Sequence, residues 1–172
     1  MLDLMTEQDL RPLAVFDLDG TLTDTRHRQR FVETKPKQWD LFFAGAADDS
    51  VHDEGRAALE AAVAAGCEIV YLTGRPQRLR RVTAQWLDDH GFPDATLIVR
   101  RDGDRRSAVA FKIRELAKLA AARQILLFVD DDPTVIEAVR GRSDLAAEAV
   151  LADWQPRVVS TPEEQEQLPG SD

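Results

Sequence analysis

The sequence is poor in cysteine and has no long apolar run. Its one cysteine, Cys67, cannot form an internal disulfide, and its place before Glu68 and Ile69 at a predicted strand start favours core packing over reactivity. No apolar run approaches the length of a membrane span, and the N-terminus lacks the basic-then-apolar pattern of a signal peptide. We therefore expect a cytoplasmic protein with no membrane partner.

Glycine and proline are also scarce, with 9 Gly and 8 Pro among 172 residues, while 44% of the residues are hydrophobic. These contents are typical of a globular protein, and the length suits one domain with a sizeable core. Residues 1–12 are predicted to be a loose lead-in and residues 13–159 the domain. The polar, acidic residues 160–172 are predicted to be a flexible tail.

Basic residues are outnumbered, which gives a formal net charge of −9. This balance argues against a protein that coats nucleic acid through general electrostatics. The charge is uneven, however, because residues 75–114 contain ten basic and five acidic residues. Solvated helix and loop faces would explain this window. A short anionic substrate, such as a nucleotide or a nucleic-acid end, would explain it as well.

Short apolar runs alternate with helical patterns along most of the chain. This alternation predicts an α/β fold, a three-layer Rossmann-like parallel sheet with helices on both faces. Residues 24–50 show no clean period and are predicted to form a small flap, in which His27 is either an exposed histidine or a substrate contact. The predicted strands cover residues 13–16, 68–72, 96–99, 125–129 and 148–151, and helices are predicted over 53–65 and 77–89 and from Ser107 and Pro133 onward.

Two carboxylates, Asp17 and Asp19, follow the first predicted strand directly. They lie on the same side of an extended backbone, because side chains alternate along it. Neighbouring like charges raise each other's pKa unless a cation lies between them, and Mg²⁺ is commonly held by one or two carboxylates. Gly20 then allows the chain to turn sharply. Taken alone, this segment is also compatible with a polar turn that faces solvent.

Further polar residues fall at the ends of later strands. Thr73 follows the second predicted strand, and Asp130 and Asp131 follow the fourth. The carboxyl ends of parallel strands meet at one edge of the sheet, where open α/β folds bind ligands. If the first and fourth predicted strands are neighbours, the two acidic sets converge around one cation, which an isolated polar turn does not explain.

In this order, residues 17–21 (Asp-Leu-Asp-Gly-Thr), Thr73, Lys112 and residues 130–131 resemble the motifs of the haloacid dehalogenase-like (HAD) phosphohydrolase superfamily. The resemblance covers roughly residues 13–152. It implies that Asp17 attacks phosphorus and forms an aspartyl-phosphate, and that Asp19 acts as general acid and base. It also implies that Thr73 holds the phosphoryl oxygens and that Lys112 offsets developing negative charge.

The resemblance further implies Mg²⁺ as cofactor. The implied ligands are Asp17, Asp19 through its backbone carbonyl, Asp130 and Asp131. Many members carry another acid four residues after the metal-binding aspartate, where this chain has Val135. Which of residues 130–132 touches the metal therefore stays open, with Asp132 expected nearer the start of the next helix.

A narrower resemblance involves residues 73–75 (Thr-Gly-Arg), the following basic helix with Trp86, and the loop at 101–106. These features are similar to the 3′-phosphatase domain of polynucleotide kinase-phosphatases. The implied reaction is Mg²⁺-dependent hydrolysis of nucleic-acid 3′-phosphate ends, as in nucleic-acid repair, with a nucleotide or small-metabolite phosphatase as the alternative. The implied substrate-binding residues are Thr21, Gly74, Arg75, Arg105 and Arg106.

No kinase P-loop of the form Gly-x-x-x-x-Gly-Lys-Ser/Thr is present, so this chain is not expected to phosphorylate 5′ ends. A separately encoded kinase or ligase partner is compatible with that absence. The small flap leaves the site open, which favours a polymer end or nucleotide over an enclosed metabolite. A phosphoacceptor signalling module also uses an acidic cluster with Thr and Lys, but its acceptor lies on a later strand.

Overall fold

The computed structural model describes residues 11–155, so the predicted lead-in and tail fall almost wholly outside the described residues. The strands are β1 (Leu13–Phe16), β2 (Thr23–Asp24), β3 (Ser50–Val51), β4 (Glu68–Pro76), β5 (Thr96–Arg100), β6 (Ile125–Asp130) and β7 (Glu148–Leu151). The helices are α1 (Arg30–Glu33), α2 (Trp39–Ala44), α3 (Asp53–Ala64), α4 (Arg80–Asp89), α5 (Ala108–Ala122) and α6 (Pro133–Arg140).

Five of the strands form one parallel sheet in the order β5-β4-β1-β6-β7. The predicted parallel α/β sheet is therefore confirmed, and so is the predicted neighbourhood of β1 and β6. All four β1 residues are buried, because β1 is central and helices cover both faces. The carboxyl ends of β1, β4 and β6 consequently lie side by side.

The side chains of β1 alternate between two core clusters. Ala14 and Phe16 belong to the cluster closed by α3 and α4, and Leu13 and Val15 to the cluster closed by α5 and α6. Burying each large apolar side chain contributes roughly 1.5–3 kcal/mol, so the strand that carries the motif is firmly held. The helical residues in these clusters include Leu59, Ala62, Trp86 and Leu87 on the first face and Phe111, Leu116, Val135, Ile136 and Val139 on the second.

The predicted flap is closed at its base by a two-stranded antiparallel ribbon, β2 with β3. Between these strands lie α1 and α2, and α2 carries a cluster of three aromatic rings. Trp39 stacks on Phe43 at 5.9 Å, and Phe42 meets both rings edge-on. Phe42 is buried, so the flap has a small core of its own.

β4 extends to Pro76, further than the second predicted strand, which covered residues 68–72. Residues 73–76 belong to β4, because Pro76 stays extended and pairs with Arg100 after an irregularity in the ladder. A 3-10 turn over residues 77–79 then precedes α4. Among the described residues, no helix combines the length and the apolar character needed to cross a membrane.

Candidate active site

Asp17 lies at the carboxyl end of β1, where its amide continues the ladder by donating to the Val129 carbonyl at 2.9 Å. Its side chain is buried and accepts hydrogen bonds from Lys112 Nζ at 2.9 Å and from the Thr21 hydroxyl at 3.3 Å. Burial raises the pKa of Asp17 well above its ordinary value, and the charge of Lys112 opposes that rise. The carboxylate is thus buried and held by two donors.

Lys112 reaches this carboxylate from α5, whose predicted cap is confirmed because the Ser107 hydroxyl accepts from the Ala110 amide. Its ammonium bridges Asp17 and Asp130, at 2.9 and 2.5 Å. Burial on its own would lower the pKa of Lys112, but Asp130 and Asp17 outweigh it and the pKa lies well above its usual value. The lysine therefore stays charged between two carboxylates.

Three acids form a compact group at this edge of the sheet. Asp17, Asp130 and Asp131 each offer one carboxylate oxygen, and these oxygens lie within 4.8 Å of one another. Lys112 contacts Asp17 and Asp130 of this group. Carboxylates gathered this closely repel one another unless a cation lies among them. A hard divalent cation fits this donor set. Among such cations Mg²⁺ suits these residues, because it is commonly held by one or two carboxylates.

Gly20 allows the loops after β1 and β6 to approach each other. It adopts φ +81°, and a Cβ there would lie 2.5 Å from Asp131 Oδ2. Any other residue would therefore push Asp131 away from the group. Asp132 does not belong to it, because its carboxylate caps α6 by accepting from the Thr134 amide at 2.9 Å. The expectation that Asp132 lies near the helix start is confirmed.

The Asp19 side chain lies outside the acidic group and contacts two arginines instead. Arg75 donates to it through Nη2 at 2.7 Å and Nε at 3.1 Å, and Arg28 through Nη2 at 2.5 Å. Burial alone would raise the pKa of Asp19, but the charges of Arg75 and Arg28 outweigh it and hold the pKa well below its usual range. A metal contact through the Asp19 backbone carbonyl stays a prediction.

Arg28 and Asp49 are two site residues that the sequence did not reveal. Both guanidinium groups donate to buried Asp49, Arg28 at 2.7 and 2.6 Å and Arg75 at 3.0 Å. His27 Nε2 lies 2.8 Å from the same carboxylate, although 43% of the His27 side chain is exposed. The only sequence signal for Arg28 is its place among the basic residues Arg26, His27 and Arg30, and nothing in the sequence points to Asp49.

Three of the predicted site residues, Thr73, Gly74 and Arg75, lie at the end of β4. Thr73 is fully buried beside β1, and its hydroxyl accepts from the Arg75 amide at 3.2 Å. Gly74 lies between them and is partly exposed. The predicted substrate roles of Thr73, Gly74 and Arg75 stay predictions, since the Arg75 side chain here binds Asp19, Asp49 and the Thr83 hydroxyl.

The loop after β5 holds the other predicted arginines. Arg106 forms an ion pair with Asp104 at 2.7 Å, and Arg105 is exposed. The structure does not bring either guanidinium into contact with the carboxylates described above.

Arg100, at the end of β5, was not predicted as a site residue. It is 5% exposed, and its guanidinium lies over the ring of Phe111. Phe111 directly precedes Lys112 in the sequence. Within the described part of the chain, Arg100 Nε and Nη2 and Arg106 Nη1 are buried without a hydrogen-bond partner. Burial lowers the pKa of Arg100, and Asp104 opposes this. Such donors are costly unless an anion meets them.

Several solved structures share this fold. A chain of the Pnkp1/Rnl/Hen1 complex gives a TM-score of 0.67 at 20% identity, over 87% of this chain and 49% of that one. The class C acid phosphatase from Bacillus anthracis with tungstate bound gives 0.57 at 20% identity, over 85% and 68%. A hydrolase from Streptococcus pneumoniae TIGR4 gives 0.54 at 16% identity, over 82% and 92%.

This chain thus spans about half the length of the chain it matches in the Pnkp1/Rnl/Hen1 complex. No curated protein matches its sequence. Residues 3–142 match the family described as HAD superfamily, subfamily IIIB (Acid phosphatase). That match spans well over half of the chain and includes the acidic group and Lys112. The resemblance read from the motifs is therefore confirmed: the chain belongs to the HAD superfamily, subfamily IIIB.

Proposed function

We propose that this protein is a Mg²⁺-dependent phosphomonoesterase that hydrolyses 3′-phosphate ends of nucleic acids through an aspartyl-phosphate. The observation that carries the reaction is Lys112 bridging Asp17 and Asp130 at 2.9 and 2.5 Å, beside an Asp19 held by two arginines. A carboxylate so fixed suits attack on an anion, because the ammonium offsets the repulsion between two negative groups.

In the first step an Asp17 oxygen bonds to phosphorus, the bond from phosphorus to the leaving oxygen breaks, and Asp19 gives that oxygen a proton. In the second step Asp19 takes a proton from water, whose oxygen bonds to phosphorus and releases phosphate from Asp17. Lys112 stays charged throughout. Bound Mg²⁺, held by Asp17, Asp130 and Asp131 with the Asp19 carbonyl, would supply further charge neutralisation.

The arginines give Asp19 a way to change its protonation. With Arg28 and Arg75 bound to it, the pKa of Asp19 lies well below its usual range, so Asp19 is ionised and holds no proton to donate. A substrate phosphate competes for the same guanidinium groups. When Arg75 turns to the phosphate, Asp19 loses a positive partner and its pKa rises, so that it can hold the proton it must deliver.

The nucleic-acid substrate is supported by Arg100, which lies at the carboxyl end of β5, on the edge of the parallel sheet that carries the site. The unpartnered donors of Arg100 are suited to a second phosphate, which an oligonucleotide end carries and a simple monoester does not. A structurally similar chain belongs to the Pnkp1/Rnl/Hen1 RNA repair complex. On the same likeness we propose a kinase or ligase partner.

A second candidate is a nucleotide or small-metabolite phosphatase. The acid phosphatase description of the subfamily and the similar Bacillus anthracis enzyme favour it. The alternative from another functional class, a phosphoacceptor signalling module, is disfavoured by family membership.

A substrate panel separates these candidates. Purified protein with Mg²⁺ is incubated with 3′-phosphorylated and 5′-phosphorylated oligonucleotides, nucleoside 3′-monophosphates and sugar phosphates, and released phosphate is measured. We expect kcat/KM for the 3′-phosphorylated oligonucleotide to exceed the others by about tenfold or more, since charge-assisted contacts contribute at least that much. Turnover of sugar phosphates alone would contradict the nucleic-acid assignment.

The same panel with Arg100→Gln tests why the oligonucleotide is preferred. The variant should lose most of that preference and keep its rate on nucleoside 3′-monophosphate, which lacks the second phosphate. Arg114→Gln, the same change on an exposed position of α5, is the matched control and should behave as wild type. Equal effects of the two variants would remove the proposed role of Arg100.

Metal binding can be measured without activity. Adding Mg²⁺ should raise the thermal midpoint of the protein, because a ligand at a hundredfold excess over its Kd stabilises the folded state by about 2.7 kcal/mol. Asp131→Asn should abolish most of this shift. Asp144→Asn, an exposed position paired with Arg142 on the turn before β7, should keep it. An unchanged shift in Asp131→Asn would show that the ion binds elsewhere.

A further inference from the structure

Residues 152–155 leave β7 and cross the edge of the sheet that carries the site; we call them the strap. The Ala152 amide donates to the Asp130 carbonyl at 2.8 Å, and the Trp154 indole donates to the Thr21 carbonyl at 2.9 Å. The strap therefore touches both loops that carry the acidic group. It lies beyond residue 142, where the match to the family ends.

Gln155 in the strap joins the two ends of the flap. Its Oε1 accepts from the Thr25 amide at 3.0 Å and lies 2.8 Å from His52 Nε2, and its Nε2 donates to the Thr25 hydroxyl at 2.7 Å. Thr25 follows β2 and His52 follows β3. All three side chains are buried, so breaking these bonds would leave polar groups unpaired away from water.

We infer that Gln155 is a positioning residue of the phosphatase reaction, a role that rests on the function proposed above. The flap holds Arg28 and Asp49 against Asp19, but the ribbon at its base has only two residues in each strand. Isolated two-stranded ribbons are marginally stable in water. The Gln155 carboxamide supplies a side-chain link between both flap ends and the strap, and so fixes where Arg28 lies.

This role has a signature that a merely structural role lacks. Asp19, which the flap orients through Arg28, protonates the leaving oxygen in the proposed first step. A p-nitrophenolate leaves readily without a proton, whereas the alkoxide of a nucleic-acid 3′ end needs one. A misplaced flap should therefore slow the alkyl ester far more than the aryl ester, and kcat/KM reports that first step.

Gln155→Met keeps the volume of the side chain and removes its hydrogen bonds. We expect its kcat/KM for a 3′-phosphorylated oligonucleotide to fall about tenfold, as small misplacements near a reacting centre commonly do, with kcat/KM for p-nitrophenyl phosphate within about twofold of wild type. Gln85→Met, at an exposed position of α4, is the matched control.

Thr25→Val keeps the shape of its side chain and removes one of the three contacts of Gln155. It provides a second test if the Gln155→Met protein does not fold. Its kcat/KM for the 3′-phosphorylated oligonucleotide should fall roughly threefold relative to its kcat/KM for p-nitrophenyl phosphate. Equal losses on both esters, or none, in the folded variants would overturn the inference while wild-type turnover upheld the proposed function. A wild-type protein inactive on both esters would contradict the proposed function itself, and the inference with it.

Discussion

Replacing Asp17 with asparagine is expected to lower phosphomonoesterase kcat/KM by a factor on the order of 10⁴ or more, as removal of a nucleophile usually does. The amide cannot form the acyl-phosphate, and it leaves Lys112 paired with Asp130 alone. The side chain keeps its size, so the packing at the end of β1 should not change. Activity on the 3′-phosphorylated oligonucleotide and unfolding in urea are the two measurements.

The stability of this variant follows from the pKa of Asp17. Because burial raises that pKa in the folded protein, the folded state binds more protons than the unfolded state between the ordinary value of 3.8 and the raised one. Stability is therefore lost as pH rises through this window. Asp17→Asn removes that loss, and without Mg²⁺ the variant should be at least as stable as wild type at neutral pH.

Asp144→Asn is the matched control, since it makes the same change at an exposed carboxylate that follows the carboxyl end of α6. It should keep full activity. Substantial turnover by Asp17→Asn would mean that another residue is the nucleophile. A large fall in its urea midpoint would instead mean that the charge of Asp17 holds the fold together, and the loss of activity would no longer identify the nucleophile.

Much of this site could be predicted because its parts are local or lie at strand ends. The motif at residues 17–21 follows an apolar strand, and residues 130–131 follow another. The rules of parallel sheets bring both to one edge. The structure confirms that β1 and β6 are neighbours and that Asp17, Asp130 and Asp131 form one group. Lys112 joins them because a capped helix aims it there.

The flap could not be predicted in the same way, because its contacts are long-range and its pattern has no period. Asp49 looks like any other acid in an acidic stretch, yet it is buried between two guanidinium groups that lie 21 and 26 residues away in sequence. Arg28 sits in a cluster of charges that is usually solvated. Only the folded chain reveals that these charges compensate one another.

The contacts of Asp49 with Arg28 and Arg75 predict that Asp49→Asn lowers the free energy of unfolding substantially. Arg28 Nη2 and Arg75 Nη2 both donate to Asp49 Oδ2, and Arg28 Nε donates to Oδ1, so the single oxygen of a neutral amide cannot accept all three hydrogen bonds. The amide N–H group would face a guanidinium N–H, and Arg28 and Arg75 would remain buried with Asp19 as their shared carboxylate. Breaking a buried ion pair from one side typically costs about 3–5 kcal/mol. We expect the free energy of unfolding in urea to fall by about that amount.

Activity should fall with it, and selectively. If the flap holds Asp19 through this network, kcat/KM for the alkyl ester in folded Asp49→Asn should drop about 100-fold, and the aryl ester should lose less. Asp48→Asn, an exposed neighbour with the same change, is the control and should match wild type in both measurements. A variant as stable and as active as that control would mean that the two arginines hold Asp19 without Asp49, because a network that tolerates the loss of its central charge does not depend on it.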